Sequence, residues 1–153
     1  MPITELPHVD EHIVLVDAGL DDVRSALVEA LDGTFGRRAS GAYARAVGCV
    51  PVGSSGPRPL AVGSTIPGFA VVSVAPDELV LEGRHRFSTY GLTFHLDDLG
   101  GRTRLRDVTT AAFPGLAGRA YRALVIGTGF HVLGLRRLLD GVRRRAEAVV
   151  APG

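Results

Sequence analysis

The chain has no lysine: all 17 of its basic side chains are arginine. Chemistry that needs a lysine, a Schiff base or the phosphate-cradling residue of a P-loop, is therefore excluded. The arginine-only usage reads as the coding bias of a GC-rich genome rather than as a functional device. With one cysteine, Cys49, no intrachain disulfide can form. The histidines His8, His12, His85, His95 and His131 show no paired metal spacing, so no metal and no cofactor is expected, and Cys49 is expected to be a buried or tolerated thiol. A long hydrophobic run is also missing. The longest, Ala123 to Leu135, holds His131 and several glycines and falls short of the roughly 20 residues of a membrane span, so membrane insertion is not expected. No charged-then-apolar leader opens the sequence, which points to a reducing, cytoplasmic location.

Familiar catalytic signatures are missing too. Gly53-Ser54-Ser55-Gly56 lacks the Gly and Ser spacing of a nucleophile elbow. Gly127-Thr128-Gly129 has Val132 where a dinucleotide fingerprint needs its third glycine.

What is present describes one globular domain, residues 12–150, behind a tail of residues 1–11. Charged residues at 22% and hydrophobic ones at 46% suit a chain of 153 residues with a sizeable core. The net charge of +1 hides an asymmetry: acidic residues crowd the segment from Glu5 to Asp32, while Arg136, Arg137, Arg143 and Arg144 make the C-terminal segment basic. Self-complementarity, as in a homodimer, is its simplest use. A nucleic-acid surface would need a stronger, interleaved basic patch, so no nucleic-acid partner is expected.

Periodicity organises the rest. From Leu116 to Val149, residues Leu124, Thr128, His131, Leu135, Leu138, Val142 and Val149 recur at helical spacing, with the arginines opposite. The glycines in this stretch imply either close backbone packing beside a cavity or a bend near Gly127 and Gly129 that splits the helix in two. Upstream, His12 to Val16 reads as a buried strand and Leu20 to Leu31 as an amphipathic helix ended by Gly33. The region from Phe35 to Gly68 loses period, with a weak helix or strand at Ala42 to Val50 and an edge strand at Leu60 to Val62.

Strands dominate the centre: Phe69 to Val74 and Leu79 to Glu82 as a hairpin, then Arg84 to Asp97 and Arg102 to Phe113 as a longer one. Pairing Asp97 with Arg102 places Phe94 opposite Leu105, Leu92 opposite Asp107 and Tyr90 opposite Thr109. Phe87 conflicts in parity with Leu92 and Phe94, and a β-bulge near Tyr90-Gly91 would resolve it. Without the bulge Arg86 and Ser88 point inward with Tyr90; with it, His85 and Phe87 do.

The expected fold is α+β: a curved antiparallel sheet gripping a long C-terminal helix, preceded by a strand and short helix. This layout, with Val62-Gly63-Ser64-Thr65-Ile66, the stretch from Glu78 to Phe87, and Phe113-Pro114-Gly115 before the helix, resembles the SRPBCC superfamily, the START-like helix-grip fold of polyketide cyclases and birch-pollen-allergen-like proteins. The resemblance covers His12 to Val149. It implies a cavity between sheet and helix for a hydrophobic or amphipathic small molecule, and a shape rather than an activity.

Residues that would line such a cavity are His131 and Thr128 on the helix, Tyr90, Arg86 and His85 on the facing strand, and Tyr121. A buried Arg86 would need an anion, Glu82, Asp107 or a ligand carboxylate. Two functions fit: binding of an apolar ligand, and a cyclase- or dehydratase-like enzyme using His131 with Tyr90 or Arg86. The absence of an acid and base at recognisable spacing favours binding over the enzyme, and a structural domain with a filled core and no ligand is a weaker third alternative.

Overall fold

The computed structural model describes residues 6–35, 38–127 and 129–150, with the side chains of 35, 38–41, 130 and 131 left aside. Its order is β1 (His8–Val16), α1 (Leu20–Phe35), α2 (Arg38–Val47), β2 (Thr65–Ile66), β3 (Phe69–Ala75), β4 (Glu78–Arg84), β5 (Thr89–Asp98), β6 (Thr103–Ala112), α3 (Gly115–Val125) and α4 (Phe130–Val150). The strands form one antiparallel sheet in the order β1-β6-β5-β4-β3-β2. Strands β2 to β6 run as a meander, and β1 closes the far edge against β6.

One face of the sheet is covered by α1 and α4. Leu135, Leu138, Leu139, Val142 and Ala146 of α4 are buried with Val23, Leu27 and Leu31 of α1 and with Leu81, Phe94, Leu96 and Leu105 of the strands. These are the i, i+3, i+4 positions of both helices and alternate positions of the strands, so the two periodicities meet in a single core. Part of the charge asymmetry is met inside the chain where α1 lies against α4. Arg145 Nη1 is 3.7 Å from Glu29 Oε2.

Several boundaries differ from the sequence reading. β1 starts at His8, since its N-terminal residues pair with β6 across a register shift. α1 runs past Gly33 to Phe35; Ala42 to Val50 is mostly helix, the end of α2, and the short strand of the loop region is Thr65–Ile66 rather than Leu60 to Val62. The C-terminal helix is split. α3 ends as Ile126 and Gly127 both donate to Arg122 O, and Gly129 takes the left-handed conformation (φ +81°) before α4 begins. The break takes Leu124 off the α4 stripe: it is 61% exposed, and Val149 at the other end is 70% exposed.

The expected β-bulge at Tyr90-Gly91 is absent. Arg84 to Asp97 is two strands, β4 and β5, joined at His85 to Ser88, and this chain reversal removes the parity conflict. The β5–β6 register lies two residues from the expected one: Asp97 pairs with Arg104, Phe94 with Asp107 and Leu92 with Thr109. A slip of two keeps every side chain on its face.

Glycine has no packing role at two positions of α4. A Cβ at Gly134 or Gly141 would meet nothing within 4 Å, and neither has positive φ. Gly134→Ala and Gly141→Ala should each therefore stabilise the protein by about 0.5–1 kcal/mol. A fall in the urea midpoint of either variant would mean that these glycines are needed for close approach.

Candidate functional site

The inward face of β5 and β6 changes character along its length. Toward the Leu99-Arg102 loop it carries Leu96 and Leu105, packed with Val16 of β1 and Val142 of α4. Toward the opposite end it carries Leu92 opposite Thr109 and Tyr90 opposite Ala111, with Phe94 and Asp107 between the two halves. Large apolar side chains fill the first half, and polar and small ones mix with Leu92 in the second. α3 closes this second end. It contributes a single buried residue, Gly118, where a Cβ would stand 2.6 Å from Phe113 C and 3.0 Å from Phe87 O. Only glycine lets the helix sit so close to these two backbones.

At this end the side chains form an aromatic group. The His85 ring lies 4.6 Å from Tyr121 and 5.5 Å from Tyr90; Phe87 stacks on Tyr121 at 5.2 Å, and Phe69 meets Tyr90 edge-on at 5.2 Å. The His85 to Ser88 turn sets this geometry. His85 N–H donates to Ser88 O at 2.9 Å, and the Phe87 N–H donates to His85 Nδ1 at 3.0 Å. Because Nδ1 accepts, the neutral ring carries its proton on Nε2, which faces Ser88 Oγ at 3.3 Å. Burial also lowers the His85 pKa from its ordinary 6.5. The stability this neutral ring supports is thus complete above pH 6.5 and is lost as pH falls through the folded value.

The phenols are similarly engaged. Tyr90 O–H donates to Gly68 O at 2.6 Å and lies 3.9 Å from Cys49 Sγ; Tyr121 and Tyr43 join hydroxyl to hydroxyl. Burial, first of all, pushes both Tyr90 and Tyr121 far above the usual phenol range. Cys49 is free and buried, as expected, and burial raises its thiol pKa, which makes it a poor nucleophile.

Of the six residues expected to line a cavity, the structure gathers His85, Tyr90 and Tyr121. Arg86 stands apart. It is exposed rather than buried, its N–H donates to Val47 O at 3.1 Å, and its side chain runs past Gly48, where a Cβ would be 3.2 Å from Nε. Thr128 and the His131 side chain lie outside the described residues, although the backbone of His131 is in the first turn of α4.

Sequence reasoning missed a second group, on the inward face of β1 and β6. His12 pairs across the strands with Asp107, and His12 Nε2 is 3.3 Å from Asp10 Oδ2. Asp107 is fully buried, and burial pushes its carboxyl up to about 6, with Asp10 adding to the shift and His12 opposing it. A signal existed. Asp10 and His12 are two apart, the spacing that puts two side chains on one face of a strand.

A sheet of antiparallel strands gripping a long C-terminal helix is the helix-grip fold. Solved structures share it. The Mll3558 protein of Rhizobium loti is 18% identical, with a TM-score of 0.55 over 92% of this chain and 99% of that one. CalU16 of Micromonospora echinospora is 14% identical (TM-score 0.51; 94% and 92% covered). A point mutant of Thalictrum flavum norcoclaurine synthase, in complex with a transition-state analogue, is 12% identical (TM-score 0.57; 96% and 100% covered). At such identities the likeness is one of fold. No protein-family model and no curated protein matches the sequence.

Proposed function

We propose that the protein binds a hydrophobic or amphipathic small molecule between the sheet and the helical layer, at the end closed by α3. The observation that carries this reading is the inward face of β5 and β6, where Thr109, Ala111 and the Tyr90 phenol join Leu92 at that end in place of an all-aliphatic surface. Pockets for small molecules combine aromatic walls with a few oriented polar groups. Here the walls are His85, Tyr90 and Tyr121; His131 and Thr128 enter the proposal from their helical spacing in the sequence alone.

A cyclase- or dehydratase-like reaction draws less support. Both ring nitrogens of His85 are engaged in its turn, the Tyr90 hydroxyl is held by Gly68 O, and Arg86 faces solvent. A general acid or base needs a titratable group free to exchange a proton near the working pH.

Native mass spectrometry of the purified protein should find a co-purifying small molecule. His131→Leu, which deletes both ring nitrogens, and Tyr121→Ala should each lower its affinity by about tenfold or more, the worth of one good contact. A protein that carries no molecule and binds none from a panel of lipids and aromatic polyketides would overturn the reading. Affinity unchanged by Tyr90→Ala in a folded variant would do the same for the assignment of Tyr90 to the wall.

A further inference from the structure

We propose that Asp10, His12 and Asp107 form a binding site for a divalent transition-metal ion on the inward face of β1 and β6. One ligand atom from each of these residues lies within 4.8 Å of the others, with the closest pair, His12 Nε2 and Asp10 Oδ2, at 3.3 Å. An ion bound at about 2.0–2.2 Å to imidazole and carboxylate draws its ligands to roughly that spacing, so a small contraction completes the site.

The second observation is Asp107 itself. It has no exposed surface, and neither of its carboxylate oxygens meets a hydrogen-bond partner of proper geometry; His12 Nε2 is in the same position. Buried polar atoms are nearly always satisfied, and the exceptions mark a role that the protein's own groups do not fill. Here the unsatisfied atoms of two cross-strand partners meet: His12 Nε2 and the two oxygens of the Asp107 carboxylate, which share one negative charge when ionised. A cation satisfies all three together, whereas one water would leave the paired carboxylates facing each other.

One imidazole with two carboxylates is a borderline-to-hard donor set, suited to Zn²⁺ or Mn²⁺ and poorly suited to Mg²⁺, which prefers oxygen alone. Three protein ligands leave at least one coordination position open. A groove of about 430 Å³ between β1 and α4, lined by His12, Leu139, Arg136 and the acidic Glu11 and Asp140, reaches His12 from outside. The site does not depend on the small-molecule reading.

The test uses the full chain, stripped with a chelator and dialysed, then titrated calorimetrically with ZnCl₂, MnCl₂ and MgCl₂. One equivalent of Zn²⁺ or Mn²⁺ should bind and raise the melting temperature, and Mg²⁺ should bind far more weakly. Asp107→Asn and His12→Gln should each weaken binding by about tenfold or more, since even an outer-sphere partner of a metal ligand is worth about that much. Asp10→Asn is the milder variant should Asp107→Asn not fold, as judged by circular dichroism. His95→Gln removes a histidine that faces Glu78 at 3.6 Å on the other side of the sheet, and should change nothing. Absent binding, or binding unaffected by the Asp107, His12 and Asp10 variants, would overturn the proposal, as would binding lost only with His95.

Discussion

Replacing Leu135 with alanine is expected to lower stability by about 2–5 kcal/mol, the range for large-to-small changes in a packed core. Leu135 is 6% exposed and belongs to the same cluster as Leu138, Val142, Phe94 and Leu105, so its lost methyl groups would leave a cavity with rigid walls on the sheet side. The informative comparison is Leu124→Ala. Both leucines sit on one stripe of the sequence, yet Leu124 is 61% exposed on α3, and its loss should cost less than about 0.5 kcal/mol. Urea denaturation reads both variants. Equal losses would place α3 in the core and contradict the break at Ile126 to Gly129.

Gly83→Ala should be as severe for a different reason. A Cβ at Gly83 would stand 2.0 Å from Gly68 O and 2.9 Å from the Tyr90 ring and hydroxyl, so it strikes a backbone carbonyl and the group that donates to it. Neither can yield alone, because moving the carbonyl breaks the 2.6 Å hydrogen bond that holds Tyr90. Overpacking of this kind costs about 1–3 kcal/mol, and the lost hydrogen bond about 1 kcal/mol more. Tyr90→Phe separates the two effects, since it removes only the hydrogen bond. If Gly83→Ala were no more damaging than Tyr90→Phe, the close approach of β4 to the Gly68 turn would be wrong.

The faces of the elements were legible in the sequence, and their joints less so. The β5–β6 register was two residues off without moving Phe94, Leu92 or Tyr90 to the other face, because alternation fixes parity more firmly than pairing. The joint between β4 and β5 went unseen because its loop, Arg86-Phe87, has no glycine, asparagine or proline. A histidine side chain accepting the N–H two residues on does the work that turn residues usually do, and no propensity records that. His85, Tyr90 and Tyr121 were legible as polar or aromatic residues beside an apolar stripe. Asp10 and His12 were legible only as two residues on one face of a strand, and Asp107 joins them only once β1 and β6, distant in sequence, pair.

The break at Gly129 separates two duties that one continuous helix would share. α4 holds the core through Leu135, Leu138, Leu139, Val142 and Ala146, whereas α3 adds one buried residue, Gly118, and is flanked by the left-handed glycines Gly115 and Gly129. Substitutions on the outer surface of α3 therefore fall outside the set of residues whose burial keeps the chain folded. The part of the molecule that faces the closed end can diverge in sequence at little thermodynamic risk, while the grip itself stays under constraint.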